Sequence, residues 1–207
     1  MASDVYTLAL LVVADVSFAR FGWIVVGALR AFRNYRKATA VRLGWIELAN
    51  WAEPPLLFAI TCFLFANRRT PAQVDLVALL TVVSGAVLAV VGLALSVWSF
   101  LSLPTVSIGH YVLKEQSVVE TGPYGWVRHP IYLGVFLIWL ALALAFRSVA
   151  TLLLTVVYVI PAYLVYIRSE EEMMAGAYGA AYADYCRRVG RLFPHLRARP
   201  APADHKP

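Results

Sequence analysis

The sequence predicts an all-α integral membrane protein with about five transmembrane helices, and three observations support this fold class. Hydrophobic residues make up 61% of the 207 residues and charged residues only 14%, which is far from the balance of a soluble protein. Several apolar runs are long enough to cross a hydrocarbon core about 30 Å thick at about 1.5 Å per helical residue. The net charge of +6 comes from Lys and Arg clustered at the ends of these runs, which is typical of membrane orientation.

Two apolar runs begin the chain. Residues 5–29 form a run that is long enough to span the membrane. Residues 43–66 form a second run that contains Pro54 and Pro55, and proline removes a helical hydrogen bond donor. We therefore expect the second run to begin as an interfacial or broken helix.

The third apolar run, residues 74–103, is the cleanest span in the sequence. It carries the small residues Gly85, Ala89 and Gly92 on a helical spacing. Small side chains allow two membrane helices to approach closely. We therefore expect another helix to pack against this one.

The second half of the chain begins with a loop and a hairpin. Residues 104–128 mix polar residues, Gly and Pro over a length that is unusual for a simple turn and frequent in functional loops. Two further apolar runs, 130–146 and 149–167, are separated only by Arg147 and Ser148. This short separation predicts a tight helical hairpin.

The chain ends in an amphipathic segment, because Tyr178, Tyr182 and Tyr185 recur at helical spacing within residues 169–195. Basic residues follow near its end, and the last residues are rich in Pro and Ala and are expected to fray. The sequence thus divides into N-terminal transmembrane helices (1–103), a core of loop, hairpin and C-terminal helix (104–196), and a flexible tail (197–207).

Basic residues set the expected orientation, because Lys and Arg concentrate in cytoplasmic segments. They follow the first span and recur in the tail: Arg30, Arg33, Arg36, Lys37 and Arg42, and then Arg187, Arg188, Arg191, Arg197 and Arg199. With five spans, the N-terminus lies outside, and the 104–128 loop shares the cytoplasmic side with the tail. A soluble cofactor could reach loop and tail together.

Four ionisable residues of the first two runs have two possible roles; these residues are Asp15, Arg20, Glu47 and Glu53. Ionisable groups inside a membrane are functional candidates and could line a lipid-accessible substrate cavity. Alternatively, Asp15 and Arg20 compensate each other in packing, and the two glutamates sit at the interface. The sequence favours neither reading.

A polar motif stands at the entrance of the fourth span, where residues 120–134 read ETGPYGWVRHPIYLG. It places Arg128, His129 and Tyr132 where polar groups are costly to bury without partners. Taken individually, Arg128 and Tyr132 are better explained as a snorkelling anchor and part of an aromatic belt. The combination with the Gly and Pro residues just upstream favours a site.

A second cluster, Arg168-Ser169-Glu170-Glu171-Glu172, stands where the fifth span ends. Taken alone, it is also consistent with a solvated helix start, because Arg168 can pair with Glu172 four residues later. Together, GPYGWVRHPIYLG, RSEEE and the later AYGAAYADYCRRVGRLFP resemble the C-terminal core of the isoprenylcysteine carboxyl methyltransferase and phospholipid methyltransferase group. The resemblance covers residues 114–194.

The resemblance implies methyl transfer from S-adenosylmethionine to a membrane-borne lipophilic acceptor, either a prenylcysteine-like carboxylate or a lipid amine. It implies that Glu172 holds the amino group of the cofactor and that Arg168 engages the substrate as the catalytic residue. The family loop often has His or Lys followed by Leu-Val where this chain has residues 116–119. The other implied cofactor positions are Gln116, Ser117, Val118, Val119, Tyr124, His129, Pro130, Ile131 and Tyr132.

These residue types suit the chemistry, because a sulfonium cofactor needs an acidic group, backbone donors and electron-rich rings. In-line methyl transfer requires positioning rather than a nucleophile from the protein. A carboxylate acceptor needs orientation, for which the guanidinium of Arg168 is suited. An amine acceptor must lose a proton, and Glu171 is a candidate base.

Two other functions remain open. A sterol-type membrane reductase that uses NADPH shares the arginine-histidine-proline signature, but it usually has Asn at the position of Ile131 and lacks the acidic run. A non-enzymatic membrane scaffold would leave the polar loop without a purpose. We expect no nucleic-acid binding and no metal site, because the basic residues form no stripe and the histidines are unclustered. The acceptor and the oligomeric state stay undetermined.

Overall fold

The structure is a computed structural model that describes residues 2–35, 38–41, 45–68, 73–103, 111–113 and 117–195, with side chains described for 2–26, 51–68, 73–103 and 117–195. It is predominantly helical, as predicted. The exception within these ranges is a short antiparallel pair of strands, β1 (Ala38–Val41) and β2 (Tyr111–Leu113), with Ala38 opposite Leu113 and Val41 opposite Tyr111.

Seven α-helices and two short helical turns make up the other regular elements of the described fold. A π-helical turn, Thr155–Val159, joins α5 to α6 without interrupting the rod, and a 3-10 turn, Gly122–Gly125, precedes α4. The helices are α1 (Ala2–Tyr35), α2 (Trp45–Ala66), α3 (Leu76–Leu101), α4 (Pro130–Ala145), α5 (Val149–Leu154), α6 (Ile160–Tyr178) and α7 (Ala180–Arg188).

Three helical segments are long and apolar enough to cross a membrane: Ala2–Val26, Leu76–Leu101 and Val149–Tyr178. The protein is therefore an integral membrane protein. Trp51–Ala66 and Pro130–Ala145 are apolar but shorter. The 16 residues of α4 extend about 24 Å, which is less than the full hydrocarbon thickness of about 30 Å. A count of five spans thus stays a prediction.

The seam between α3 and α4 lies at the centre of the core, and its small residues confirm the predicted close helix approach. A Cβ built on Gly85 would lie 2.9 Å from the carbonyl oxygen of Ala141, and one on Gly92 would lie 2.7 Å from that of Gly134. Ala89, between the two glycines, is fully buried. Only residues with little or no side chain fit at this distance.

The expected break in the second apolar run is not observed, because α2 continues through Pro54 and Pro55. Proline costs a helix one backbone hydrogen bond, but membrane helices tolerate this cost where neighbouring helices pack around them. Here Glu53 and Leu57, on either side of the prolines, are 1% and 0% exposed. Tertiary contacts of α2 therefore outweigh the local preference.

The predicted helical hairpin is confirmed. Helix α4 ends at Ala145 and α5 begins at Val149, so three residues make the turn. Arg147 has a φ of 49°, a left-handed conformation that reverses the chain. The hydroxyl of Ser148 then caps α5 by accepting a hydrogen bond from the backbone N–H of Thr151 at 3.2 Å.

Candidate active site

The segment before α4 is fixed by backbone pairing with the chain that follows α7. The N–H of Arg128 donates to the carbonyl oxygen of Gly190 at 2.8 Å, and the N–H of His129 donates to that of Arg191 at 3.0 Å. Pro130 then opens α4, where the missing N–H of proline costs nothing. The arginine-histidine-proline motif is thereby held against the C-terminal segment.

Glu171 joins this motif to α6 and to the C-terminal segment. Arg128 donates to its Oε1 atom through Nε at 3.0 Å and Nη2 at 2.8 Å, and Arg191 donates to Oε2 at 2.5 Å. The Nη1 atom of Arg128 also donates to the carbonyl oxygens of Cys186 at 3.3 Å and Val189 at 2.6 Å. With two guanidinium partners, Glu171 is held as a carboxylate that organises the site.

His129 lies between two carboxylates. Its Nε2 atom is 3.1 Å from Oε1 of Glu171, and its Nδ1 atom is 3.5 Å from Oε2 of Glu170. Burial of the ring opposes protonation, but hydrogen bonds with Glu170 and Glu171 and their charges outweigh it, so the pKa of His129 is raised above its usual value. The imidazolium form, with a hydrogen on each nitrogen, suits this arrangement.

Tyr132 extends this polar cluster one turn into α4. Its ring stacks on His129, with the centroids 5.6 Å apart and the planes 17° apart. Its hydroxyl donates to Oε2 of Glu170 at 3.0 Å. Glu170 is therefore held facing α4 by the residues of the sequence motif.

A first cavity lies between the segment before α4, the beginning of α4, the C-terminal half of α6 and α7. It brings together eight of the predicted cofactor positions: Ser117, Val118, Val119, Tyr124, His129, Pro130, Ile131 and Tyr132. Gln116 lies outside the described residues. Seven further residues complete the lining: Leu103, Arg128, Glu170, Met173, Met174, Tyr182 and Tyr185.

Arg168 and Glu172 are placed elsewhere. Their side chains are 79% and 55% exposed, and the Nε atom of Arg168 lies 3.6 Å from Oε1 of Glu172 in a surface pair. Neither residue lines the first cavity. Side chains two positions apart on an α-helix differ by about 200° in direction. Glu170 and Glu172 therefore point to nearly opposite faces of α6.

The sequence carried a signal for Glu170 that the motif comparison missed. Tyr163, Tyr166, Glu170, Met173 and Met174 recur at helical spacing and share one face of α6. Tyr163 and Tyr166 are buried, and the other three line the first cavity. If the helical spacing had been continued beyond the end of the apolar run, it would have placed Glu170, rather than the two glutamates next to it, on the same face as Tyr163 and Tyr166.

Helix α7 closes the first cavity with aromatic side chains. The chain breaks at Gly179, which has a φ of 52°, and α7 then turns Tyr182 and Tyr185 inward. The hydroxyl of Tyr185 donates to the carbonyl oxygen of Tyr124 at 2.8 Å. Burial raises the pKa of Tyr124, Tyr182 and Tyr185, so all three stay neutral phenols at physiological pH.

A second cavity adjoins the first and extends between the N-terminal helices and the core. It shares Ile131, Tyr132 and Glu170 with the first cavity. Most of its remaining lining is aromatic or apolar, and the residues are Arg20, Trp23, Ile24, Trp51, Pro54, Ser96, Phe100, Val135, Tyr163 and Tyr166.

The ionisable residues of the first two helices divide between the predicted roles. Arg20 lines the second cavity and is bonded to Glu53, so the predicted compensation of Arg20 by Asp15 is wrong. Asp15 is exposed on the surface of α1. Glu53 is buried rather than interfacial, because α1, α4 and α6 surround it with hydrogen bond donors. The side chain of Glu47 lies outside the described residues.

The fold and site thus define a helical membrane protein with two adjoining cavities, one polar and aromatic and one mainly apolar. The family model for phospholipid methyltransferases matches residues 80–181, which contain α3, α4, α5, α6 and the arginine-histidine-proline motif. This segment, about half of the chain, matches the phospholipid methyltransferase family, which confirms the resemblance seen in the sequence.

A curated relative is the cobalt-zinc-cadmium resistance protein CzcN of Cupriavidus metallidurans, which is 32% identical over 83 residues. The match covers 40% of this chain and 38% of that protein, well under two thirds of its length. Within the described part of this chain, no three His, Cys, Asp or Glu side chains are grouped as ligands for a metal ion.

Proposed function

We propose that this protein transfers a methyl group from S-adenosylmethionine to a lipophilic acceptor that it takes from the membrane. One observation carries the proposal: residues from four separate segments of the family motif converge on the first cavity, beside a carboxylate. The family match of residues 80–181 supports the reaction class, and the adjoining apolar cavity supports a membrane-borne acceptor.

The lining of the first cavity fits the proposed cofactor. The carboxylate of Glu170 suits the amino group of the cofactor, a role that the resemblance assigned to Glu172. Neutral tyrosine rings at Tyr124, Tyr132 and Tyr182 suit a sulfonium cation, which is attracted to electron-rich aromatic faces. Apolar residues at the remaining positions suit the adenine ring, as Val118 and Met174 illustrate.

Reaction takes place, in this proposal, where the two cavities meet at Ile131, Tyr132 and Glu170. S-adenosylmethionine, when bound, supplies an electrophilic methyl group and leaves as a neutral thioether. The chain's contribution is to hold the acceptor atom in line with that methyl group and to exclude water. The apolar and aromatic walls of both cavities suit the second task.

Acid-base assistance differs from what the sequence suggested. Glu171 is paired with Arg128 and Arg191 at close range, which makes it a weak proton acceptor. Glu170 lines both cavities and is the carboxylate that would face an amine acceptor. A carboxylate acceptor would need no base, because it is ionised at neutral pH. Arg168 is 79% exposed and lines neither cavity.

We place the first cavity on the cytoplasmic side. Lys and Arg concentrate after the span Ala2–Val26 and in the C-terminal segment, and the latter packs directly on the cavity-forming motif. This orientation gives a soluble cofactor access from the cytoplasm, while the second cavity receives the acceptor from the bilayer.

The test is calorimetric titration of the detergent-purified protein with S-adenosylhomocysteine and, separately, with NADPH. Saturable binding of S-adenosylhomocysteine alone supports the proposal. Binding of NADPH alone refutes it and favours the reductase. Binding of neither refutes the assignment of the first cavity to a nucleotide cofactor and leaves the scaffold as the better description.

A further inference from the structure

A buried ion pair joins the two N-terminal helices beside the second cavity. The Nη1 atom of Arg20 in α1 donates to Oε1 of Glu53 in α2 at 3.1 Å, and Nη2 donates to Oε2 at 2.9 Å. The two residues are 5% and 1% exposed. This parallel two-point geometry fixes the plane of the guanidinium, which a single contact would leave free to rotate.

Glu53 of α2 is surrounded by donors from three other helices. Besides Arg20, Trp139 of α4 donates its indole N–H to Oε1 at 2.6 Å, and Tyr163 of α6 donates its hydroxyl to Oε2 at 2.9 Å. Each carboxylate oxygen therefore accepts two hydrogen bonds. The charge of the Glu53 carboxylate is therefore balanced by protein groups alone, without a bound ligand.

Arg20 differs from its partner in facing the cavity. Arg20 and Tyr163 line the second cavity, whereas Glu53 does not. A guanidinium has five N–H donors, and among the described residues Glu53 and the Tyr163 oxygen, 3.5 Å from Nη2, take three of them. Within the described ranges, two of its N–H donors have no protein partner, and Arg20 lines the wall of the second cavity.

The polar groups of the second cavity follow one another along its wall. Arg20 contacts Tyr163, the ring of Tyr163 lies 5.4 Å from that of Tyr132, and the Tyr132 hydroxyl contacts Glu170. A cation and a carboxylate therefore stand at two ends of the wall with two tyrosine rings between them. The carboxylate end adjoins the first cavity, and the cationic end belongs to the N-terminal helices.

We infer that Arg20 binds an anionic oxygen group of the acceptor, a carboxylate or a phosphate, while the acceptor's reacting atom lies near Glu170. Glu53 acts as a positioning residue that fixes the guanidinium plane. The inference rests on the proposed function for the role of the second cavity. Both residues lie outside the segment 80–181 that matches the family, so the family match does not assign them.

The experiment uses the purified full-length protein and three photoactivatable lipids with identical twelve-carbon chains and a diazirine on the chain carbons next to the headgroup. Their headgroups are a carboxylate, a phosphate and a trimethylammonium. Cross-links to the cavity residues Trp23, Trp51 and Phe100 are counted by mass spectrometry. We expect about tenfold more cross-links from an anionic lipid than from the cationic one, as charge-assisted bonds to a guanidinium predict.

The double variant R20M/E53Q removes both charges; its glutamine oxygen can still accept from Trp139, and its amide nitrogen can donate to the Tyr163 hydroxyl. The anionic preference should vanish in it and persist in R187M, an exposed arginine outside both cavities. If the double variant fails to bind S-adenosylhomocysteine, the same comparison is made with R20K, which keeps a cation beside Glu53 but loses the two-point fork.

The outcomes separate this inference from the proposed function. Equal labelling by the cationic lipid, or a preference that survives the loss of Arg20, overturns the assignment of Arg20 even if the cofactor binds. Loss of cofactor binding in the unmodified protein overturns the proposed function instead. A preference that depends on Arg20 supports the inference, and the stronger of the two anionic lipids identifies the group as carboxylate or phosphate.

Discussion

Replacing Gly92 by Ala tests how tightly α3 and α4 pack. The added Cβ would lie 2.7 Å from the carbonyl oxygen of Gly134, 3.0 Å from Cγ1 of Ile138 and 3.1 Å from Cβ of Leu137. Two of these neighbours are close to the α4 backbone and cannot rotate away. An ordinary contact of 3.4 Å requires the helices to separate by about 0.7 Å at this point.

The expected cost follows from overpacking a fixed seam. Such substitutions destabilise by about 1–3 kcal/mol, and the better helix propensity of Ala offsets about 0.5–1 kcal/mol of this. A net loss of about 1–2 kcal/mol lowers the melting temperature by about 2–8 °C in a chain of this size. Ser96, one turn further along α3, lines the second cavity, so the separation should also weaken binding of an acceptor there.

Thermal unfolding in detergent measures the effect, and Gly22→Ala in α1 is the matched control. A Cβ at Gly22 meets nothing within 4 Å, so the same chemical change should leave the melting temperature unchanged or raise it slightly. If both variants melted alike, the tight seam would not exist in the protein and the explanation of its small residues would be wrong.

Three further predictions concern the site. Glu170→Gln should weaken S-adenosylhomocysteine binding about thirtyfold, or about 2 kcal/mol, whereas Glu172→Gln should change it less than threefold; calorimetry showing the reverse order would restore the motif-based assignment of Glu172. The raised pKa of His129 stabilises the folded state fully below the ordinary histidine value of about 6.5, and this stabilisation is lost as the pH rises through the raised value. The melting temperature should therefore fall through this interval more steeply than in His129→Gln, and parallel curves would contradict the charged histidine. Arg128→Met should lower the free energy of unfolding by about 2–3 kcal/mol, because it removes the side-chain bonds to Glu171, Cys186 and Val189. It should also speed hydrogen exchange in α7, and unchanged exchange there would show that Arg128 does not hold that helix.

Much of the fold could be predicted because the bilayer imposes simple rules on the chain. The apolar runs predicted the long helices, since an unpaired backbone is costly in hydrocarbon and a helix pairs its own. The separation of two apolar runs by only Arg147 and Ser148 predicted the hairpin, because so short a connection forces the two helices to pack antiparallel. The break expected at Pro54 was wrong because the prediction used local propensity alone, and the packing of α2 around Glu53 and Leu57 outweighs it.

The site divides in the same way. The family resemblance, rather than any local rule, selected the eight described cofactor positions that line the first cavity, and all eight lie within residues 117–132. It could not choose among three adjacent glutamates, since that choice depends on which face of α6 turns toward Tyr132. It could not pair Arg20 with Glu53 either, because these residues are far apart in sequence and meet only when α1 and α2 pack together. The sequence by itself determined the helices and the motif, because both depend on residues that are close together in the chain. Where each charged side chain faces depends on contacts between helices, and only the tertiary structure brings these helices together.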